Sequence, residues 1–345
     1  MINDVWSTVK SSKKPVVLYG MGNGADKIIK VLESKGISVS GVFASDGFSS
    51  NKIFHGFNVT SYLTAKKNFG DMTVLVSFGS SRPEVLENIK RIAKEQELYA
   101  PDVPVCGDTL FDSEYFEKNK KDFEDIYDVF SDEVSRKTFA DIVNCKLSGR
   151  IDPLFECEVT EDEPFDTFFK LTDEEVYLDL GAYRGDTVRD FLDRAEKYCG
   201  IIAVEPDAKT YGKLVNDLCN VEKSVCINAC VSDKCGVKFL DACGSRGTKI
   251  SDCGIPVKCV TVDHIIGSGS CTYIKADIEG EELKALKGAE NTIKMLKPKL
   301  KIACYHRSED LIEIPKAVLT IRPDYKVYMR HFPSVPAWDT FYYFI

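Results

Sequence analysis

The residues of this 345-residue chain that are best suited to chemistry are acids associated with apolar runs in its second half. Asp179 belongs to one such run, Glu205 follows the next, and Asp277 and Glu279 follow a later one. Apolar runs alternate with helical patterns from residue 173 onward, which predicts a doubly wound, mostly parallel sheet. Such sheets bind ligands outside the carboxyl ends of their strands. We therefore expect these carboxylates to converge in one cleft.

A glycine turn separates the first of these runs from a helix. Val176–Leu180 has the length of a buried strand, Gly181 and Gly185 follow it, and a helical pattern comes next. This order lets backbone approach a nucleotide-like ligand closely. Asp179 and Asp186 flank the turn and would repel a pyrophosphate, which prefers bare amides. They suit a ligand with positive charge, such as the ammonium and sulfonium groups of S-adenosylmethionine. The alternative is a plain turn in which Asp186 caps the helix.

Glu205 is the residue most strongly indicated as a ligand contact. It lies 24 positions after Gly181, close to the offset at which an acid reaches a ribose diol. Its carboxylate can accept hydrogen bonds from both ribose hydroxyls. The alternative is a helix-capping Glu-Pro-Asp turn, and we expect Asp207 to cap in either case. A strand at 225–231 would then bring Asn228 near an adenine.

Asp277 is the first candidate for a general base or for a group that orients the acceptor, because it lies at the tip of a buried strand. His306, after the next strand, is the second candidate. Glu279 is a third, although it could instead pair with Lys275 or Arg184 and only stiffen the site. The glycine- and serine-rich segment 244–248 could close over a substrate.

Residues 14–105 predict a separate Rossmann-like unit. Residues 15–19 form a strand, and residues 20–25 match the G-x-G-x-x-A turn of dinucleotide-binding folds, with Asp46 near the position of a ribose-binding acid. This pattern leaves two alternatives open: an NAD-dependent oxidoreductase, or a non-catalytic module that supports its neighbour or binds a nucleotide sugar. Residues 111–150 follow with helical spacing, which predicts a helical connector.

Composition excludes several partners. A formal net charge of −9 argues against a nucleic-acid or anionic-membrane surface. No run approaches the ~20 apolar residues needed to span a bilayer. The N-terminus lacks the pattern of a signal peptide, so we expect a cytoplasmic protein. None of the 13 cysteines forms a Cys-x-x-Cys pair, and no metal site is predicted.

Four segments resemble the FkbM-type family of S-adenosylmethionine-dependent methyltransferases. They are Leu178-Asp179-Leu180-Gly181-Ala182-Tyr183-Arg184-Gly185-Asp186-Thr187, Val204-Glu205-Pro206-Asp207, Asn228-Ala229-Cys230-Val231-Ser232-Asp233, and Ile274-Lys275-Ala276-Asp277-Ile278-Glu279-Gly280 with Leu283 and Leu286-Lys287-Gly288-Ala289. The resemblance covers about the last half of the chain. Where family members end the fifth strand in a glutamate-histidine type sequence, this chain has Cys304-Tyr305-His306.

The resemblance implies a class I methyltransferase sheet of seven strands, the last of them antiparallel. It also implies O-methylation of a sugar, glycan or natural-product hydroxyl. With the residue pattern, it predicts an N-terminal Rossmann-like domain at 1–110, a helical connector at 111–172 and a methyltransferase domain at 173–345. The predicted cofactor-binding set is Asp179, Gly181, Ala182, Tyr183, Arg184, Gly185, Asp186, Glu205, Pro206, Asp207, Asn228 and Asp277.

Overall fold

The structure is a computed structural model that describes residues 3–45, 52–241, 250–251 and 253–345. Its helices are α1 (Val5–Ser11), α2 (Asn23–Ser34), α3 (Tyr62–Phe69), α4 (Pro83–Glu95), α5 (Ser113–Lys118), α6 (Lys120–Val129), α7 (Glu133–Ser148), α8 (Asp152–Cys157), α9 (Glu163–Thr167), α10 (Asp186–Arg194), α11 (Ala208–Asp217), α12 (Val262–Ile266), α13 (Glu282–Lys287), α14 (Glu290–Leu296) and α15 (Asp310–Ile321). None of these helices is long and apolar enough to cross a membrane. Segment 244–248, predicted to close over a substrate, and the predicted ribose-binding acid Asp46 lie outside the described residues.

Within the described residues, the strands form two main sheets and two small ones. They are β1 (Val16–Tyr19), β2 (Val39–Phe43), β3 (Ile53–Phe54), β4 (Phe57–Asn58), β5 (Thr73–Val76), β6 (Glu97–Tyr99), β7 (Val176–Leu180), β8 (Gly200–Val204), β9 (Ser224–Ile227), β10 (Cys230–Val231), β11 (Gly236–Leu240), β12 (Ile250–Ser251), β13 (Ile255–Val260), β14 (Tyr273–Ala276), β15 (Lys299–Ala303), β16 (Val327–His331) and β17 (Thr340–Phe344).

The first main sheet has the order β2-β1-β5-β6, and all its pairs are parallel. Every side chain of β1 is buried, as the apolar run at residues 15–19 predicts. Helix α2 begins after Gly22, whose φ of 113° favours glycine. The predicted Rossmann-like arrangement of residues 14–105 is confirmed for the strands and helices that the structure describes there.

Helices α5 to α9 follow the first sheet, and the helical prediction for residues 111–150 is confirmed. Asp132 caps α7 by accepting a hydrogen bond from the Ser135 N–H at 2.7 Å. Gly149 ends the same helix in the left-handed conformation, which costs glycine little.

The second main sheet has the order β16-β17-β15-β14-β7-β8-β9. Its pairs are parallel except those of β17, which runs antiparallel to both β15 and β16. The prediction of a mostly parallel sheet of seven strands with the last antiparallel is therefore confirmed. The chain passes from β7 to β8 and β9 on one side, then returns to β14 and β15 on the other. This reversal places a switch point between β7 and β14, where ligands of such sheets bind.

One local prediction was wrong. The strand predicted at 225–231 is two strands, because β9 belongs to the seven-stranded sheet and β10 to the small sheet β10-β13-β11-β12. After Gly280 the chain forms two short helices, α13 and α14, with a break between them. The break accompanies a close approach of two chain segments, since a Cβ on Gly288 would lie 2.2 Å from the Ser232 carbonyl oxygen. The alternative in which Asp186 caps the helix does not hold, because Asp186 is the first residue of α10 and Gly185 occupies the N-cap position.

Candidate functional site

A cavity of about 1100 Å³ opens at the carboxyl ends of the central strands of the second sheet. This volume exceeds the ~300–1,000 Å³ typical of a site for one drug-sized ligand. Gly181, Glu205 and Asp277, which follow β7, β8 and β14, all line it. The strand order places Tyr305 and Phe341, from β15 and β17, on the opposite side from Glu205. The cavity thus has two halves, with Asp277 between them.

The predicted glycine turn is compact and packs against the end of β14. Gly181 has a φ of 79°, and a Cβ there would lie 2.1 Å from the Asp277 carbonyl oxygen, so the position requires glycine. Gly185 also has a positive φ, of 78°, immediately before α10. Tyr183 and Asp186 from this turn line the cavity. The turn therefore presents backbone to the cavity, as the sequence pattern predicts.

Glu205 lies where the sequence places a ribose-binding acid, and it is only 7% exposed. Its carboxylate accepts hydrogen bonds from the backbone N–H groups of Tyr183 at 3.1 Å and Asp207 at 2.9 Å. Burial raises the pKa of Glu205 to about 7, against the opposing effect of those two donors. Asp207 caps α11 as predicted, accepting from the Thr210 N–H at 2.8 Å.

Asn228 holds the backbone of the Glu-Pro-Asp turn at residues 205–207. Its side-chain amide donates to the carbonyl oxygens of Glu205 at 2.8 Å and Pro206 at 3.0 Å. The side chain thereby fixes the backbone that carries Glu205. Arg184 lies on the surface and faces Asp217, with 3.6 Å between Nε and Oδ2.

Asp179 is fully buried beneath the turn and does not line the cavity. It forms an ion pair with Lys275 on the neighbouring strand, with 3.2 Å between Oδ1 and Nζ, and it also accepts a hydrogen bond from Thr187. Lys275 in addition donates to the Gly181 carbonyl oxygen at 3.2 Å. Although burial opposes the lysine charge, Asp179 and Asp277 raise the pKa of Lys275. Lys275 therefore compensates the charge of Asp179 inside the protein.

His306 lies behind Asp277 and is 1% exposed. Its Nε2 atom is 3.5 Å from Asp277 Oδ1 and 3.9 Å from Glu279 Oε2, while its Nδ1 atom is 3.0 Å from Glu282 Oε1. Burial lowers the pKa of His306, but the carboxylates, Glu282 foremost, raise it to about 9. The ring is consequently an imidazolium at neutral pH. Tyr305 also donates a hydrogen bond to Asp277 Oδ1 at 3.0 Å.

Glu282 was missed in the sequence, because an acid in the first turn of a helix usually faces solvent and the helix dipole explains it. Here it is fully buried and accepts from the Ile278 N–H at 2.8 Å. The metal-ligating atoms of Asp277, Glu282 and His306 all lie within 4.8 Å of one another. The carboxylate nearest to Nε2 of His306 is that of Asp277, and the carboxylate nearest to Nδ1 is that of Glu282. This is the arrangement of an imidazolium between two carboxylates.

Lys301 was also missed, since a lysine within a short strand usually lies on a solvated face. Its Nζ atom is 4.7 Å from the ring centroid of Phe341 and 5.4 Å from that of Phe332, and all three residues line the cavity. Burial lowers the pKa of Lys301. Asp339 lies on the same side, and burial together with the charge of Asp277 raises its pKa to about 6.

The two buried histidines are expected to titrate far apart. His306 should show a pKa of about 9, whereas burial lowers the pKa of His331 to about 4. Because the pKa of His306 is raised in the folded state, its contribution to stability is complete below about pH 6.5 and is lost as pH rises to about 9. NMR titration of the imidazole resonances measures both values, with His306→Gln and His331→Gln for assignment. Titration of both rings near pH 6.5 would contradict the described burial and pairing.

Comparison with known structures supports an α/β methyltransferase fold. The crystal structure of methyltransferase FkbM from Methylobacillus flagellatus KT aligns with a TM-score of 0.73 and 22% identity over 96% of this chain and 90% of that one. More distant are an rRNA methylase from Streptococcus thermophilus (TM-score 0.35, 13% identity, 50% and 87% coverage) and Aeropyrum pernix fibrillarin with natively bound S-adenosyl-L-methionine (0.34, 11%, 52% and 70%).

Residues 179–319 match the family model of the methyltransferase FkbM domain. The resemblance found in the sequence is thereby confirmed for this part of the chain, which contains the glycine turn, Glu205 and Asp277. No curated protein compared with the chain matches it.

Proposed function

We propose that the protein is an S-adenosylmethionine-dependent methyltransferase that methylates a hydroxyl group of a small-molecule or glycan acceptor. The observation that supports this most directly is the buried carboxylate of Glu205, held beside the glycine turn at the switch point of a methyltransferase-type sheet.

The charge of the cavity fits a cationic nucleoside. Among the described residues, its lining includes nine carboxylic side chains and two lysines, and one of those lysines, Lys275, is paired with Asp179. An excess of carboxylates in a concave site attracts positive charge and repels phosphate. Asp186 follows the turn directly along the chain, and Asp277 packs against Gly181 of the turn through its carbonyl oxygen. This donor set suits the ammonium and sulfonium groups of S-adenosylmethionine, and the carboxylate of Glu205 suits its ribose.

The cofactor, when bound, supplies a methyl group on a sulfonium that is open to in-line displacement. The backbone at Gly181–Gly185 would approach it and Glu205 would accept hydrogen bonds from the ribose, while Asn228 holds the backbone of Glu205 through its hydrogen bond to the carbonyl oxygen. Asp277 then holds the acceptor hydroxyl and takes its proton as the new bond forms. Fixing two reactants in this way contributes ~7–11 kcal/mol in well-oriented systems, and a general base contributes ~10²–10⁴-fold.

His306 is the less suitable base, because an imidazolium at neutral pH has no lone pair to accept a proton. Its positive charge, with the hydroxyl of Tyr305, instead holds the carboxylate of Asp277 in place. Glu279 lies 3.9 Å from the same ring nitrogen and shares this charge. We therefore assign the proton transfer to Asp277 and supporting roles to His306 and Glu279.

Two of the three glycines in the turn after β1 pack closely against the first sheet. A Cβ on Gly20 would lie 2.4 Å from the Phe78 ring, and a Cβ on Gly24 would lie 2.4 Å from the Ser77 carbonyl oxygen. Gly20 and Gly24 are thus accounted for by packing against the end of β5, whereas a Cβ on Gly22, whose φ is 113°, would meet nothing within 4 Å. The packing of Gly20 and Gly24 gives the NAD-dependent oxidoreductase alternative no support.

A thermal-shift comparison tests the proposal. S-adenosylhomocysteine at 100 times its dissociation constant should stabilise the fold by ~2.7 kcal/mol, or about 4 °C in Tm, whereas NAD should leave Tm unchanged. Stabilisation by NAD without stabilisation by S-adenosylhomocysteine would overturn the proposal in favour of the oxidoreductase.

A further inference from the structure

The loop between β5 and α4, residues 77–82, holds a part of the methyltransferase region. The Ser80 N–H donates to the Val335 carbonyl oxygen at 2.9 Å, and the Val335 N–H donates to the Ser80 carbonyl oxygen at 3.1 Å. A Cβ on Gly79 would lie 2.0 Å from the ring of Trp338. Val335 and Trp338 belong to the segment between β16 and β17, residues 332–339, which we call the hairpin loop. The β5–α4 loop therefore sets the position of the hairpin loop.

The two loops meet at the half of the cavity that contains Tyr305 and Phe341, which we call the acceptor half. Phe332 and Asp339 of the hairpin loop line it, as do Ser81 and Pro83 from the β5–α4 connection. Glu205, the proposed ribose-binding residue, is on the opposite side of Asp277 by strand order. The first sheet thus supplies part of the wall that faces the acceptor.

A series of packed rings links this wall to the proposed base. The ring of Trp338 packs against Gly79 and stacks beside Tyr305, with ring centroids 6.5 Å apart and an interplanar angle of 27°. Tyr305 in turn donates its hydrogen bond to Asp277 at 3.0 Å. A shift of the Trp338 ring would consequently move Tyr305, and with it the carboxylate that is to receive the acceptor proton.

The same end of the first sheet is where a Rossmann-like unit would ordinarily bind its own ligand. Here Ser77 and Phe78, from the same loop, pack directly on the glycine turn at residues 20–24. The side of the loop that faces its own sheet is occupied by the glycine turn, and the other side contacts the hairpin loop. The contacts of the β5–α4 loop thus connect the first sheet to the cavity of the second sheet.

We propose that the β5–α4 loop is the acceptor-positioning element of the enzyme, with Gly79 and Trp338 as positioning residues for Tyr305 and Asp277. On this view the Rossmann-like unit serves to complete the acceptor site. The inference rests on the proposed methyltransferase function.

The test compares Gly79→Ala with Gly236→Ala, whose added Cβ meets nothing within 4 Å and whose position is outside the cavity lining. Neither glycine has a positive φ, so the difference between the variants is steric. Two quantities are measured: S-adenosylhomocysteine binding by calorimetry, and transfer of label from [methyl-³H]S-adenosylmethionine into a deproteinised small-molecule and glycan extract. We expect Gly79→Ala to bind S-adenosylhomocysteine normally and to lose about 10²-fold in transfer, as misplacement by an ångström can cause.

A second variant separates positioning from misfolding. Trp338→Phe, combined with Gly79→Ala, removes part of the ring that the new methyl group would strike, and it should restore a substantial part of the transfer. A loss of transfer that persists in the double variant, or a parallel loss of cofactor binding in Gly79→Ala, would overturn the positioning role. Normal transfer by Gly79→Ala would also overturn it while leaving the methyltransferase proposal intact. Absence of transfer by the unchanged protein would refute the proposed function, and this inference with it.

Discussion

Replacing Glu205 with alanine is expected to abolish measurable binding of S-adenosylhomocysteine. The carboxylate is buried beside the glycine turn and would accept hydrogen bonds from both ribose hydroxyls. Hydrogen bonds to a charged group contribute ~1.5–3 kcal/mol each, so the loss of two corresponds to ~10²–10⁴-fold in affinity. Calorimetry measures the change directly.

The control for this variant is Glu222→Ala, an exposed acid between α11 and β9 that lies outside the cavity. It should bind as the unchanged protein does. Circular dichroism is needed beside it, because Glu205 also accepts from two backbone N–H groups that its removal would leave unpaired. Unchanged binding by a folded Glu205→Ala variant would remove this residue from the site.

Cofactor affinity should also depend on pH through Glu205. Since its pKa is raised to about 7, the free protein carries a neutral carboxyl group below that pH and a carboxylate above it. The ionised form accepts hydrogen bonds at both oxygens. Affinity should accordingly rise as pH increases through about 7, and Glu205→Gln should flatten this dependence.

The change of Asp277 to asparagine is expected to separate binding from turnover. The amide keeps the shape of the side chain and can still accept one hydrogen bond from Tyr305, so S-adenosylhomocysteine should bind within about twofold of normal. It cannot take the acceptor proton, and methyl transfer should fall by ~10²–10⁴-fold. The labelled-extract assay and calorimetry provide the two measurements.

Asp193→Asn is the matched control, because Asp193 is exposed on α10 and outside the cavity lining. It should lose neither property. Full residual transfer by Asp277→Asn would end its candidacy as the base and would direct attention to Glu279. Loss of binding and transfer together would instead make Asp277 a cofactor contact, a role that the sequence also allows.

The parts of the site that sequence predicts are those determined by local chain geometry. The strand, glycine turn and helix at residues 176–194 follow from apolar length, glycine positions and helical spacing, and Glu205 follows from its offset from Gly181. Asp207 caps α11 because it directly precedes the helix, whose first N–H groups need an acceptor. These features need no knowledge of strand order.

The features that sequence did not predict depend on tertiary neighbours. The pairing of Asp179 with Lys275 exists only because β14 lies beside β7 in register, and that order is not visible in the chain. In the sequence Glu282 looks like an ordinary acid in the first turn of a helix. Its burial and its pairing with His306 become visible only in the folded structure. The break between β9 and β10 depends on which sheet each strand joins. The contact of Gly79 with Trp338 joins residues 259 positions apart.

The most direct test of the account is a crystal structure of the protein with S-adenosylhomocysteine. The account predicts the ribose hydroxyls on Glu205, the methionine part along the turn at Gly181–Gly185, and the sulfur atom facing Asp277 across a free acceptor space. Binding of the ligand at the glycine turn of the first sheet, or a dinucleotide with its phosphates on Gly181–Gly185, would contradict it.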